Sequence, residues 1–234
     1  MSTYIMSDIH GCFYEFLEML LKINFSKCDK LYILGDVIDR GAEPIKILQH
    51  IFNAENIVML MGNHEKFMLD AANKNENISV PALIDWNYNG GTVTIRKFKE
   101  LNIEEQEMII DKISKLKWYE IVEVNNKKFL LTHAGVIVKS KKGIEEDIKR
   151  ECEDEKILWN RSELLRNSNK SEYIIIHGHT YTGRWRNDGK SEIYHYDNGK
   201  KINIDCGCAR KDTLGCLRLE DMKEFYVKCD ENYY

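Results

Sequence analysis

Five short apolar runs in this chain each end in residues able to hold a metal ion or a proton. Tyr4-Ile5-Met6-Ser7 leads into Asp8-Ile9-His10-Gly11, and Leu31-Tyr32-Ile33-Leu34 into Gly35-Asp36-Val37-Ile38-Asp39-Arg40-Gly41. Ile57-Val58-Met59-Leu60-Met61 precedes Gly62-Asn63-His64-Glu65. The run over 128–132 precedes His133-Ala134-Gly135, and Tyr173-Ile174-Ile175-Ile176 precedes His177-Gly178-His179-Thr180. Short apolar runs bounded by turn residues predict buried strands.

Between the first three runs the period lengthens. Phe13, Phe16, Leu17, Leu20 and Leu21 give a helical spacing over 13–23, and Pro44 suits the first turn of a helix running to about Asn53. A third helix follows Glu65, to about Ala72. This β-α-β-α-β-α order predicts a parallel sheet with helices packed on it. Residues 73–118 break the pattern and predict a mostly helical insertion that shapes access to the strand ends. Within it, Asn102-Ile103-Glu104-Glu105 reads as a capping box, and Trp86-Asn87-Tyr88-Asn89-Gly90-Gly91 as a loop. Residues 119–124 and 128–132 read as a hairpin turning at Asn125-Asn126. A charged helical zone spans about 143–166. Strands around 202–204, 214–219 and 225–227 follow, with turns at Asp197-Asn198-Gly199 and Glu220-Asp221. With no repeat or linker, the expectation is a single α/β domain over 1–234.

Composition narrows the class. Of 234 residues 43% are hydrophobic, enough for a core, and a net charge of -4 gives no bulk attraction to nucleic acid or anionic membrane. No nucleic-acid partner is expected. The run Lys139-Ser140-Lys141-Lys142 reads as a solvated loop. No stretch reaches the roughly 18 apolar residues of a membrane span, and the N-terminus lacks the basic region of a signal peptide. A cytoplasmic protein is the expectation. Seven scattered cysteines read as reduced thiols, with Cys12, Cys206 and Cys208 as packing residues.

Five of the seven histidines lie at the five strand ends; His50 and His195 do not. In open α/β sheets the carboxyl ends of strands are where ligands bind. Taken singly, Asp-x-His-Gly is a turn and Gly-Asn-His-Glu a helix entry capped by Asn63. Taken together, the five describe one site.

In this order, Asp8-Ile9-His10-Gly11, Gly35-Asp36-Val37-Ile38-Asp39-Arg40-Gly41, Gly62-Asn63-His64-Glu65, His133-Ala134-Gly135 and Gly178-His179-Thr180 resemble the signature of the PPP-type metallophosphoesterases. The nearest likeness is to their small bacterial and phage serine/threonine phosphatases. Ile204-Asp205-Cys206-Gly207 is similar to the sheet-closing segment beyond. The resemblance implies a calcineurin-like fold, a β-sandwich flanked by helices in α-β-β-α layers. It also implies two divalent metal ions, Mn²⁺ or Fe/Zn, a choice that carboxylate, amide and imidazole ligands suit. Asp8, His10 and Asp36 would hold the first, and Asp36 would bridge to a second on Asn63, His133 and His179. A hydroxide bridging the metals would attack phosphorus directly, and no Cys-x5-Arg loop offers another nucleophile. Arg40, Asn63 and Arg161 would bind the substrate phosphate, Arg161 being matched through Trp159-Asn160-Arg161. His64 would protonate the leaving group, with Asp39 on its other ring nitrogen. His177 stands open as a ligand or a group behind one. Tyr181 departs from the proline frequent in small bacterial relatives. The tyrosine-bearing C-terminal segment of eukaryotic protein phosphatases has no match.

The implied activity is that of a serine/threonine protein phosphatase (EC 3.1.3.16-like) acting on a phosphorylated protein or small phosphoester. The alternative is hydrolysis of dinucleoside polyphosphates such as diadenosine tetraphosphate. Symmetrical hydrolases of that kind tend to lack the Asp-Arg of Asp39-Arg40 and to carry Asp in place of Glu65, which favours the phosphatase. A non-catalytic binding module is opposed by the presence of every expected ligand and of His64.

Overall fold

A computed structural model describes residues 1–72, 79–139 and 143–229. The first half alternates strand and helix: β1 (Thr3–Met6), α1 (Phe13–Lys22), β2 (Lys30–Ile33), α2 (Pro44–Phe52), β3 (Ile57–Met59) and α3 (Asn63–Ala71). Helices α4 (Val80–Trp86), α5 (Thr92–Lys99) and α6 (Ile103–Ser114) follow, then the hairpin of β4 (Tyr119–Val124) and β5 (Lys127–Thr132). The remainder comprises α7 (Ile144–Glu153), α8 (Ser162–Arg166), β6 (Ile174–His177), β7 (Tyr194–Tyr196), β8 (Lys201–Asn203), β9 (Thr213–Arg218) and β10 (Lys223–Lys228). Pro44 opens α2, and the Asn102 and Glu105 side chains cap α6 reciprocally. Asn125 and Asn126 turn the hairpin with positive φ, as a two-residue connection requires.

Among the described residues the strands form two sheets, ordered β10-β9-β1-β2-β3 and β4-β5-β6-β8-β7. Alternation within the strands decides what each face buries. Ile5 and Leu217 of the first sheet meet Phe129, Leu131, Ile176 and Ile202 of the second in one apolar layer. Tyr4, Met6, Leu31 and Ile33 face the other way, onto Phe16, Met19 and Leu48 of the helices. Leu130 and Ile175 likewise turn outward, toward Ile144, Ile148 and Leu158. These are the expected α-β-β-α layers. Each fully buried aliphatic side chain stabilises the fold by about 1.5–3 kcal/mol.

The parallel sheet expected from the first half is the centre of something wider. β1, β2 and β3 do pair in parallel, but β9 joins β1 antiparallel and β10 joins β9. The second sheet repeats this plan, with β5, β6 and β8 parallel and antiparallel edges at β4 and β7. β7 is absent from the sequence reading, being short and carrying the half-exposed His195.

The segment 87–91, read as a loop, is a kink between α4 and α5, at which Gly90 leaves helical φ/ψ. Trp86 is buried, and a Cβ on Gly91 would lie 2.6 Å from its Cδ1, so the turn wraps tightly over the indole. Gly90, at φ 104, aims its carbonyl at the Arg40 amide, 3.1 Å away. Within the zone 143–166, α7 and α8 are separated by the 3-10 turn Lys156–Leu158 and by Asn160, whose amide binds Gly135 O and Glu151. Residues 73–78 of the insertion and most of the run 139–142 lie outside the described residues.

Backbones approach each other most closely beneath the strand ends. A Cβ on Gly35, which has φ +85, would lie 2.5 Å from Gly62 Cα, whereas one on Gly199, at φ +77, would meet nothing within 4 Å. Both substitutions strain a left-handed position, costing roughly 1 kcal/mol; Gly35→Ala adds a backbone collision. Thermal unfolding should therefore show a Tm loss of about 6–12 °C for Gly35→Ala and about 2–4 °C for Gly199→Ala. Equal losses would contradict the packing described.

Candidate active site

Each strand of the two parallel cores delivers its polar residues to one edge. The loops after β1 and β2 bind each other through the backbone, Asp8 N donating to Gly35 O, His10 N to Asp36 O and Gly11 N to Val37 O. This arrangement bends the chain severely. Asp8, His10, Asp36, Asp39, Arg40 and His179 all hold positive φ, six of the fourteen non-glycine residues that do so among those described. Such backbone costs of order 1 kcal/mol or more per residue and concentrates where function demands it.

Glu65 supplies the restraint. Its buried carboxylate accepts the amides of Asp36 (2.8 Å), Val37 (2.9 Å) and Ile38 (3.3 Å), and that of Gly62 (3.1 Å). Burial and the neighbouring Asp36 charge nevertheless push its carboxyl up to about 7. Asn63 is the first residue of α3 rather than its cap, so its side chain is free to point elsewhere.

Asp36 is the centre. One oxygen lies 3.6 Å from His10 Nε2 and 3.8 Å from His64 Nε2, the other 3.5 Å from His133 Nε2. Two groups of potential ligand atoms share it: His10, Asp36 and His64, and Asp36, His133 and His179, each within 4.8 Å. The imidazole tautomers are set from behind. His10 Nδ1 binds Ile38 O and His133 Nδ1 binds Leu34 O, leaving both Nε2 lone pairs aimed inward. His133 Nε2, Asn63 Oδ1 and His179 Nδ1 then lie 2.8, 2.9 and 3.1 Å from one another. Three lone pairs converging at such distances fit a cation between them. His179 Nε2 is buried without a partner.

Electrostatics separates the histidines. Burial, reinforced by the Arg40 charge, drives the His10 pKa well below its usual value. Burial lowers His133 as well, and burial with the His133 charge lowers His179. All three are held neutral, as ligands must be. For His64 burial also opposes charge, but Asp36 and Asp39 outweigh it and raise the pKa. His64 Nδ1 donates to Asp39 at 2.6 Å. Asp39 is itself fixed by Trp86 Nε1, which donates to both its oxygens at 3.0 and 2.8 Å. Its amide donates to Thr94 Oγ1. The insertion therefore holds the Asp39–His64 pair from behind. A protonatable imidazole beside three neutral ones can do acid-base work beside a cation site.

Arg40 donates to His10 Nε2 at 2.7 Å, and its other terminal nitrogen lies 3.0 Å from His64 Nε2. Arg161 lines the same cavity as Arg40, His10 and His179. Asp8 and His177 do not join the two ligand groups. The Asp8 carboxylate accepts the Ser7 hydroxyl and the His179 amide, and burial with the Asp205 and Asp36 charges raises its pKa. His177 Nε2 lies 2.8 Å from the Tyr196 hydroxyl, and burial takes its pKa down to about 3. It is a buried neutral side chain packed on Trp185 and Tyr196. Trp86, Thr94 and the clamp by Glu65 escaped the sequence reading. A lone tryptophan at a helix end carries no signal of its partner 47 residues away.

The comparisons with known proteins agree with this geometry. The symmetrical bis(5'-nucleosyl)-tetraphosphatase of Wigglesworthia glossinidia brevipalpis is 32% identical over 181 residues, covering 74% of this chain and 52% of that protein. The chain thus spans about half the length of that relative. Serine/threonine-protein phosphatase 2 of Salmonella typhimurium is 30% identical over 172 residues, 69% of each chain. The structure of a protein serine/threonine phosphatase from Saccharomyces cerevisiae shares the fold at TM-score 0.58 and 14% identity, covering 98% of this chain and 80% of that one. The profile described as calcineurin-like phosphoesterase matches residues 1–205, which carry all five strand-end motifs. By fold, motif order and that match, the chain belongs to the calcineurin-like phosphoesterase family, whose members work with divalent metal ions.

Proposed function

We propose that this chain is a two-metal phosphoester hydrolase and that its substrates are dinucleoside polyphosphates of the diadenosine tetraphosphate kind. The observation that carries the first part is the convergence of His133 Nε2, Asn63 Oδ1 and His179 Nδ1 beside the shared Asp36 carboxylate. His10, Asp36 and a neighbour would hold one ion, and Asp36, Asn63, His133 and His179 the other; Mn²⁺ suits this donor set. Bound there, the ions would lower the pKa of an attacking water and neutralise charge on the phosphoryl oxygens. Arg40 and Arg161 grip those oxygens with paired N–H donors. His64, charged through Asp36 and Asp39, gives its proton to the departing oxygen.

For the substrate, the similarity to a symmetrical tetraphosphatase supports the dinucleotide reading over the one the sequence favoured. The motif residues that pointed to a phosphatase have work that no substrate dictates. Asp39 positions His64, and Glu65 gathers backbone amides. A phosphoprotein is the second reading, supported by the Salmonella phosphatase, which matches over 69% of both chains.

Metal-free protein reloaded with Mn²⁺, Fe²⁺, Zn²⁺ or Mg²⁺ should hydrolyse diadenosine tetraphosphate with a kcat/KM at least about tenfold above that for a phosphoserine peptide. The reverse ratio would establish the phosphoprotein reading. Loss of His64 gives a second test. His64→Asn should cut turnover of an alkyl phosphate about 10²–10⁴-fold and that of p-nitrophenyl phosphate far less, since nitrophenolate leaves without a proton. Trp86→Phe should act in the same direction, more weakly, through Asp39. Mn²⁺ content should be unchanged in both; metal loss in His64→Asn would make His64 a ligand instead of the acid.

A further inference from the structure

A cavity of about 110 Å³ lies against His10 and His179. Four guanidinium groups line it, from Arg40, Arg161, Arg184 and Arg210, against one carboxylate, Asp205. Among the described residues none of the four has a carboxylate at ion-pair distance, whereas Arg150, Arg186 and Arg218 each do. Gathering four like charges around a single carboxylate is unfavourable in the free protein. Arg161 registers it, its pKa depressed by burial and then by Arg184. The cavity is built for anions.

One phosphate does not need four arginines. Arg40 and Arg161 flank the histidines, as described above. Arg184 and Arg210 come from two 3-10 turns, Thr182–Arg184 and Cys208–Arg210, which follow β6 and β8. Arg210 lies over the Tyr181 ring at 5.2 Å, a cation–π contact that restrains the guanidinium while leaving its N–H donors free. Tyr181 is the residue at which the chain departs from the family pattern, and it is seated over Gly207, where a Cβ would lie 2.8 Å from its ring. Two further polar atoms in the lining residues, His179 Nε2 and Thr180 Oγ1, are buried without a hydrogen-bond partner among the described residues.

We propose that Arg184 and Arg210 form an outer phosphate subsite, holding the phosphate next in line to the one attacked. The site therefore selects substrates with phosphates in series over phosphomonoesters. This deepens the hydrolase reading and rests on it. As the water oxygen bonds to the attacked phosphorus, the bridging P–O bond breaks and its electron pair leaves with the outer phosphate. The departing oxygen takes the His64 proton, one water proton returns to His64, and the charge the outer phosphate carries lies between Arg184 and Arg210. A phosphoserine places no second phosphate there.

Binding tests this apart from turnover. Mn²⁺-loaded protein at fixed excess free Mn²⁺ is titrated calorimetrically with methylenediphosphonate, a non-hydrolysable pair of linked phosphates, and with methylphosphonate. Arg184→Ala and Arg210→Ala should each weaken methylenediphosphonate about tenfold and the double variant about 100-fold. Methylphosphonate should change less than about threefold. Both residues are solvent-exposed, and unchanged thermal unfolding confirms that the variants fold. Equal weakening of both ligands, or no weakening of the diphosphonate, would overturn the subsite. So would a doubly phosphorylated peptide that depends on these arginines when the diphosphonate does not. If the diphosphonate binds through the arginines while neither ester nor anhydride is hydrolysed, the subsite stands and the hydrolase reading fails.

Discussion

The site depends on one buried carboxylate doing what a helix or sheet ladder does elsewhere. Asp36, Val37 and Ile38 leave β2 with their amides pointing into the protein, where unpaired donors would each cost about 1–3 kcal/mol. Glu65 accepts all three, together with the Gly62 amide that opens α3. The tie between the second and third loops therefore runs through a side chain, and it sets where Asp36, Asp39 and Arg40 project. The left-handed backbone at these three positions is held by that tie, with help from Thr94 and Gly90 of the insertion.

From this frame follows a division among the histidines. Those whose Nδ1 faces a backbone carbonyl, His10 and His133, present neutral Nε2 lone pairs to the centre. The one whose Nδ1 faces a carboxylate, His64, keeps a raised pKa. The same ring is suited to a ligand's or an acid's role according to what stands behind it. The centre presents a shared carboxylate and neutral nitrogens to a cation, and the arginines present fixed positive charge to an anion. A phosphate bound to metal meets both demands at once.

Much of this was legible in the chain because the chemistry lies at strand ends, where the apolar run announces the strand and the polar residues follow within a few positions. The order of the three parallel strands, the Asn125-Asn126 hairpin and the Asn102 cap were readable for the same local reason. What was not readable is non-local. Nothing near Trp86 marks its bond to Asp39, and the kink over 87–91 reads as a loop because Asn and Gly favour turns, although nothing local shows that it folds over a buried indole. Asp8 sits in a matching motif, yet its carboxylate turns to the His179 amide, a partner 171 residues away. Arg184 and Arg210 escaped because convergence of two turns on one cavity leaves no pattern in sequence.

The central claim is that Asp36 joins two metal ions into one site. Electron paramagnetic resonance of protein loaded with two equivalents of Mn²⁺ tests it directly, because a shared carboxylate couples the two spins. The account predicts a spin-coupled spectrum that collapses toward an isolated six-line Mn²⁺ signal in Asp36→Asn. An isolated six-line signal from the unaltered protein at full loading would contradict it.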